Sequence, residues 1–119
     1  MGRFSWAILL VSMLPGAALA QSIGGAYNVA GTNLDGSPYA GQALITITSD
    51  TTCEIAWQTG GTTSKGFCMR NADALAAAYV MGKDIGLIIY KAAPDGTMRG
   101  LWTITGQNGA GTEILTPVK

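Results

Sequence analysis

The sequence predicts an all-β fold: an eight-stranded antiparallel up-and-down barrel. Three observations carry this. Short segments of alternating apolar and polar residues recur from residue 26 to residue 116. Turn chemistry separates them at the roughly 8–12-residue spacing of meandering strands. The chain holds 17 glycines yet is 48% hydrophobic, which fits tight turns and close strand approaches better than disorder. Eight strands joined in this way close naturally on themselves, and closure removes the edges that invite aggregation. An open sandwich of the same strands is the alternative.

The first twenty residues stand apart from this pattern. Arg3 is a short basic start, an apolar run from Trp6 to Leu14 is broken only by Ser12, and Ala18-Leu19-Ala20 forms a small-x-small cleavage site before Gln21. The apolar run is too short to span a bilayer. Residues 1–20 are therefore expected to be a secretory signal peptide, with an uncleaved anchor as the alternative. Residues 21–119 form one domain, exported to the periplasm or the extracellular space, monomeric and free of the membrane. Without Arg3, six basic residues face seven acidic ones. No basic face emerges, so nucleic acid is not an expected partner.

Residues 26–30 alternate and make a first strand; residues 31–38 are turn-forming throughout. A long strand follows over 39–48, with Ala43, Ile45 and Ile47 on one face. Residues 52–59 and 62–70 are the third and fourth strands around Gly60-Gly61, a strong two-residue hairpin signal. Centring the hairpin there sets Trp57 opposite Ser64, Ile55 opposite Gly66 and Cys53 opposite Cys68. Two cysteines in an exported chain default to a disulfide, so Cys53–Cys68 is the expected bridge. A metal or redox pair is the weaker alternative, because the chain has no His, no CxxC and no third thiol.

Residues 71–81, NADALAAAYVM, are ambiguous. Alanine content, the Asx start and Gly82 as a stop suit a short helix. Leu75, Ala77, Tyr79 and Met81 alternate, however, and the segment sits within a series of strands, so a fifth strand is preferred. Residues 85–104 form a hairpin around Pro94-Asp95-Gly96. Pro94 presets the first corner and Gly96 tolerates positive φ. A three-residue loop with a bulge pairs Tyr90 with Gly100, Ile88 with Trp102 and Gly86 with Ile104. A two-residue turn would instead pair Ile89 with Trp102. Residues 112–116 make the eighth strand, stopped by Pro117. Asp35-Gly36-Ser37 and Asp95-Gly96-Thr97 echo each other; recurring turn grammar explains this better than duplication.

The residues offer little to catalysis. His, the commonest general base and metal ligand, is absent. Both thiols are committed to each other. Most aspartates fall at turns; Glu54 and Glu113 lie in strands, and no spacing selects a carboxylate pair. No enzyme activity, cofactor or metal is expected. A barrel of this size either holds one small ligand or is packed solid. Tyr27, Trp57, Tyr79, Tyr90 and Trp102 are candidate ligand-lining residues, or else core aromatics. Arg70 and Arg99 either pair with Glu54 or Glu113 at a barrel mouth or sit in water.

The patterns G-x-Y-x-V-x-G-T-N-x-D-G-S-x-Y-x-G (25–41), Y-x-x-x-x-D-G-x-x-x-G-x-W (90–102) and G-T-E-x-L-T-P (111–117) together resemble a family of small exported bacterial β-barrel proteins of unknown function. Some of these are labelled fibronectin-binding protein. The resemblance spans nearly the whole of residues 21–119 and implies export, a small barrel and a protein or matrix partner, with no established site residues to carry over. The glycine-aromatic opening is more loosely similar to avidin and lipocalin barrels, which implies a small-ligand carrier. Small periplasmic inhibitors of secreted metalloproteases are similar in length and strand number, although residues 21–25 lack a clear counterpart of their inhibitory trunk. Binding to a protein or matrix partner is thus the first expectation, with a carrier or a protease inhibitor as alternatives.

Overall fold

The computed structural model describes residues 23–119; the leader expected at 1–20 lies outside the described residues. Eight strands follow one another: β1 (Gly25–Thr32), β2 (Pro38–Ile47), β3 (Thr52–Thr59), β4 (Thr62–Asn71), β5 (Ala74–Met81), β6 (Asp84–Ala92), β7 (Met98–Ile104) and β8 (Gly111–Pro117). Each pairs antiparallel with the next, and β8 returns to β1, closing the barrel. Closure rules out the open sandwich. The ambiguous alanine-rich segment is β5, a strand that pairs along its length with both β4 and β6. Its Leu75, Ala77 and Tyr79 are buried in alternation while Ala74, Ala76 and Ala78 are exposed. A helix would break both ladders, and the lost pairing outweighs the weak helical preference of alanine.

The turns follow their residues. Gly60 and Gly61 both have positive φ (55° and 80°), which a two-residue hairpin of the primed type requires. Trp57 faces Ser64 and Cys53 faces Cys68, the pairing that centring on the two glycines predicts. The Cys53 and Cys68 Cα atoms lie 4.9 Å apart and the sulfurs are bonded, a separation that a disulfide accommodates. At the β6–β7 hairpin Ala93 donates to Thr97 O (2.9 Å) and Gly96 to Ala93 O (3.0 Å). Tyr90 pairs with Gly100, Ile88 with Trp102 and Gly86 with Ile104, so the three-residue loop prevails over the two-residue turn. The β1–β2 loop repeats this geometry: Asn33 donates to Ser37 O (2.8 Å) and Gly36 to Asn33 O (2.9 Å). The two loops nevertheless lie at opposite ends of the barrel, because one follows an odd strand and the other an even one.

The two ends of the barrel differ. The β2–β3, β4–β5 and β6–β7 connections gather at one end with the described N-terminus. There the interior is filled: Leu75, Met98, Leu115 and the disulfide are almost wholly buried. The β1–β2, β3–β4, β5–β6 and β7–β8 connections form the other end, where the core stops short of the rim.

Candidate functional site

The interior is built on a repeated contact between a ring and a glycine. Tyr39 pairs across strands with Gly31, Tyr79 with Gly86, Tyr90 with Gly100 and Trp102 with Gly111. A Cβ added at any of the four would meet the partner's ring atoms at 1.9–2.7 Å. Each ring therefore lies over its own glycine, against the barrel wall, and does not stand across the lumen. This arrangement leaves space at the end where three of these rings converge.

That space is a cup of about 450 Å³, within the size range of small-molecule pockets. Its wall includes Tyr39, Trp57, Tyr79, Ile88 and Trp102, and Glu113 lines it from within. Tyr39 and Trp102 meet edge to face over the neighbouring strands β1 and β8 with ring centroids 6.3 Å apart, and Trp57 and Tyr79 do so at 5.3 Å. The β1–β2 loop contributes Asp35 to the rim, and Gln107 comes from the β7–β8 connection.

Glu113 is the buried charge of this site, at 4% exposure. Three donors converge on its carboxylate. Tyr39 Oη donates to Oε1 at 2.8 Å, Trp57 Nε1 to Oε2 at 3.0 Å, and Tyr90 Oη makes a short hydrogen bond to Oε2. Trp57 Nε1 also lies 3.2 Å from Tyr90 Oη. Burying a carboxylate is costly unless it is hydrogen-bonded or paired, and here strands β2, β3 and β6 supply the bonds. The tyrosines register that surrounding. Tyr79 is pushed up to about 12, chiefly by burial and then by the negative charge of Glu113. Tyr39 and Tyr90 are raised further by the same two causes in the same order. All three hydroxyls thus remain donors at neutral pH. Trp102 Nε1 is buried over Gly111, against the wall.

Of the five candidate lining residues, Trp57, Tyr79 and Trp102 line the cup. Tyr90 lies beneath it, holding Glu113. Tyr27 does not join them: it is buried, but its hydroxyl donates to Ile23 O at 2.6 Å, toward the filled end. Arg70 and Arg99 do not pair with Glu54 or Glu113. Arg70 Nε donates to Asp50 O (3.3 Å), and the ion pair found among the described residues is Lys91–Asp73 at 4.0 Å, both exposed. Sequence reasoning missed Tyr39 and the role of Glu113. The available signal was parity: Gly111, Glu113 and Leu115 are the buried positions of β8, so an acidic residue stands in an inward row.

Outside, the barrel is two-sided. Phe67 and Met69 on β4, Val80 on β5, Ile85, Leu87 and Ile89 on β6 and Leu101 on β7 are all exposed. Strand pairing makes them neighbours, through Phe67–Ala78–Leu87 and Met69–Ala76–Ile89–Leu101. The outer faces of β1 to β3 are mixed: Asn28, Gln42, Glu54 and Gln58 stand beside the exposed Leu44.

No family model matches the chain, and no curated protein does. Solved structures do match. A redesigned β-barrel superposes with a TM-score of 0.74 at 19% identity, over 85% of this chain and 96% of its own. A second redesigned barrel, solved bound to DFHBI, matches with a TM-score of 0.72 at 22% identity, over 82% of this chain and 97% of its own. A de novo designed fluorescence-activating barrel gives 0.66 at 14%, over 83% and 96%. At these identities the likeness establishes the fold: a closed eight-stranded antiparallel barrel.

Proposed function

We propose that this barrel binds a small molecule in the aromatic cup, without turning it over. The observation that carries this is the unfilled lumen at one end, walled by rings lying over glycines and holding a buried carboxylate. A barrel stabilised by packing alone would gain by filling that space. A largely apolar cavity with few convergent polar groups is the usual form of a ligand site. Two of the matched barrels are described as bound to DFHBI, which supports a small-molecule use of this fold. Export, expected from residues 1–20, fits the oxidising compartment that a disulfide needs.

Native mass spectrometry of the protein against a small-molecule library that includes DFHBI tests this. One retained molecule per chain is expected. Ser64→Phe, which adds a ring to a cup-lining position, should abolish retention. No retained compound, or retention that Ser64→Phe leaves unchanged, would count against the cup.

A second reading is favoured by the exposed apolar band on β4–β7. Apolar patches of this kind mark protein-binding surfaces, in keeping with the adhesin-type expectation from the sequence. Capture on immobilised fibronectin, lost in Leu87→Lys and kept in Ser64→Phe, would support it. The inhibitor alternative turns on residues 21–25, of which 21 and 22 lie outside the described residues.

A further inference from the structure

We infer that the cup's ligand is a small organic cation, a protonated amine or a quaternary ammonium. This deepens the reading of the cup as a binding site and rests on it.

The charge inventory of the cup is one-sided. Its lining includes two carboxylates, Glu113 inside and Asp35 at the rim, and no Lys or Arg. Glu113 is buried and its partners are neutral: two hydroxyls and an indole N–H. A carboxylate has room for about four hydrogen bonds. Oε2 accepts two and Oε1 one, so a position on Oε1 is left for a donor or a close positive charge. A buried anion is ordinarily paired as well as hydrogen-bonded. Here the protein supplies the bonds and leaves the countercharge to what enters.

The walls suit the same guest. Trp57, Tyr79, Tyr39 and Trp102 present aromatic rings to one space. Ring faces attract cations electrostatically, most strongly for tryptophan and more so where water is excluded. Donation from Trp57, Tyr39 and Tyr90 to an anion pushes electron density back into those rings, which strengthens that attraction. An anionic guest would meet Glu113 and Asp35 with no compensating cation. A neutral apolar guest would use the rings and gain nothing from the carboxylate.

The test compares choline with its neutral carbon analogue 3,3-dimethylbutan-1-ol, reading tryptophan fluorescence and calorimetry on the full chain. Choline is expected to bind about tenfold more tightly or better, as one desolvated cation–ring contact or more would give. Glu113→Gln should shrink that ratio to about threefold or less, with its melting curve confirming that it folds. The wild-type ratio decides even if that variant does not fold. Equal affinity for the two probes would overturn the cationic assignment and leave the cup reading intact. So would a preference that survives Glu113→Gln, or binding of DFHBI or library compounds when neither probe binds. No binding by any compound would remove the cup reading itself.

Discussion

Glu113 concentrates the residue-scale chemistry. Its carboxylate collects donors from residues 39, 57 and 90, positions far apart in sequence that only barrel closure brings together. For that reason its role was not legible beforehand: a strand acid with no neighbour in sequence reads as solvated. Its inward parity was visible, its partners were not. Glu113→Gln can keep the network, with the amide oxygen accepting from Trp57 and Tyr90 and the amide nitrogen donating to Tyr39. It should change stability by less than about 1 kcal/mol, whereas Glu113→Ala strands buried donors and should cost roughly 3 kcal/mol. Urea unfolding of both variants checks the contrast; equal losses would contradict it. The tyrosines give a pH prediction. Tyr79 is raised from 10.0 to about 12, by burial and then by Glu113. Below about pH 10 its hydroxyl is protonated in both the folded and the unfolded chain, and its contribution to stability is complete. Between about pH 10 and 12 the unfolded chain releases the proton first, so stability falls as pH rises. Tyr39 and Tyr90, also raised, extend the fall upward. Ultraviolet titration of the folded protein should show little tyrosinate at pH 10; a midpoint near the ordinary value would contradict the buried network.

Strands were the most legible level, because their signals are local. Alternation identified all eight, and Gly60-Gly61 centred the β3–β4 register. The turn at Pro94-Asp95-Gly96 left two registers open, of which the structure shows the three-residue loop. Alternation assigns a residue to a face but not to a height along the barrel. That is why Tyr27 was grouped with the lining although its hydroxyl turns to Ile23 at the filled end. The ring-over-glycine contact is the element-scale device that keeps the cup open, and Gly86 tests it. A Cβ there would sit 1.9 Å from the Tyr79 ring, which is held by the bond from its hydroxyl to Thr103 O at 3.2 Å. Gly86→Ala should force the ring into the lumen, destabilising by about 1–3 kcal/mol and weakening any guest of the cup. Thermal unfolding with a binding assay checks this; a variant that keeps both would place the ring elsewhere. The disulfide joins β3 to β4 with a sequence separation of 15. Replacing both cysteines by alanine should lower stability by about 3 kcal/mol, measured by urea unfolding, and leave the cup's affinity nearly unchanged because the bridge lies at the opposite end.

At the scale of the whole molecule, function divides by end and by face. One end of the lumen is packed by Leu75, Met98, Leu115 and the disulfide; the other is ringed and open. The outer wall carries a run of large apolar side chains over β4–β7 and is mixed over β1–β3. The sequence could reveal the closed barrel, since strand count and turn length constrain closure, but not which end would fill. That depends on where side-chain volumes fall after the strands stagger around the wall. Proton–nitrogen NMR of the indole N–H groups reports most directly on the open end, because Trp57 and Trp102 both line it. Titration with choline or with DFHBI should shift both signals to saturation with at least one of the two probes, while amides of the outward residues Leu87 and Ile89 stay in place. Indole signals that do not move with either probe, or shifts confined to the outer face of β4–β7, would contradict an internal binding site.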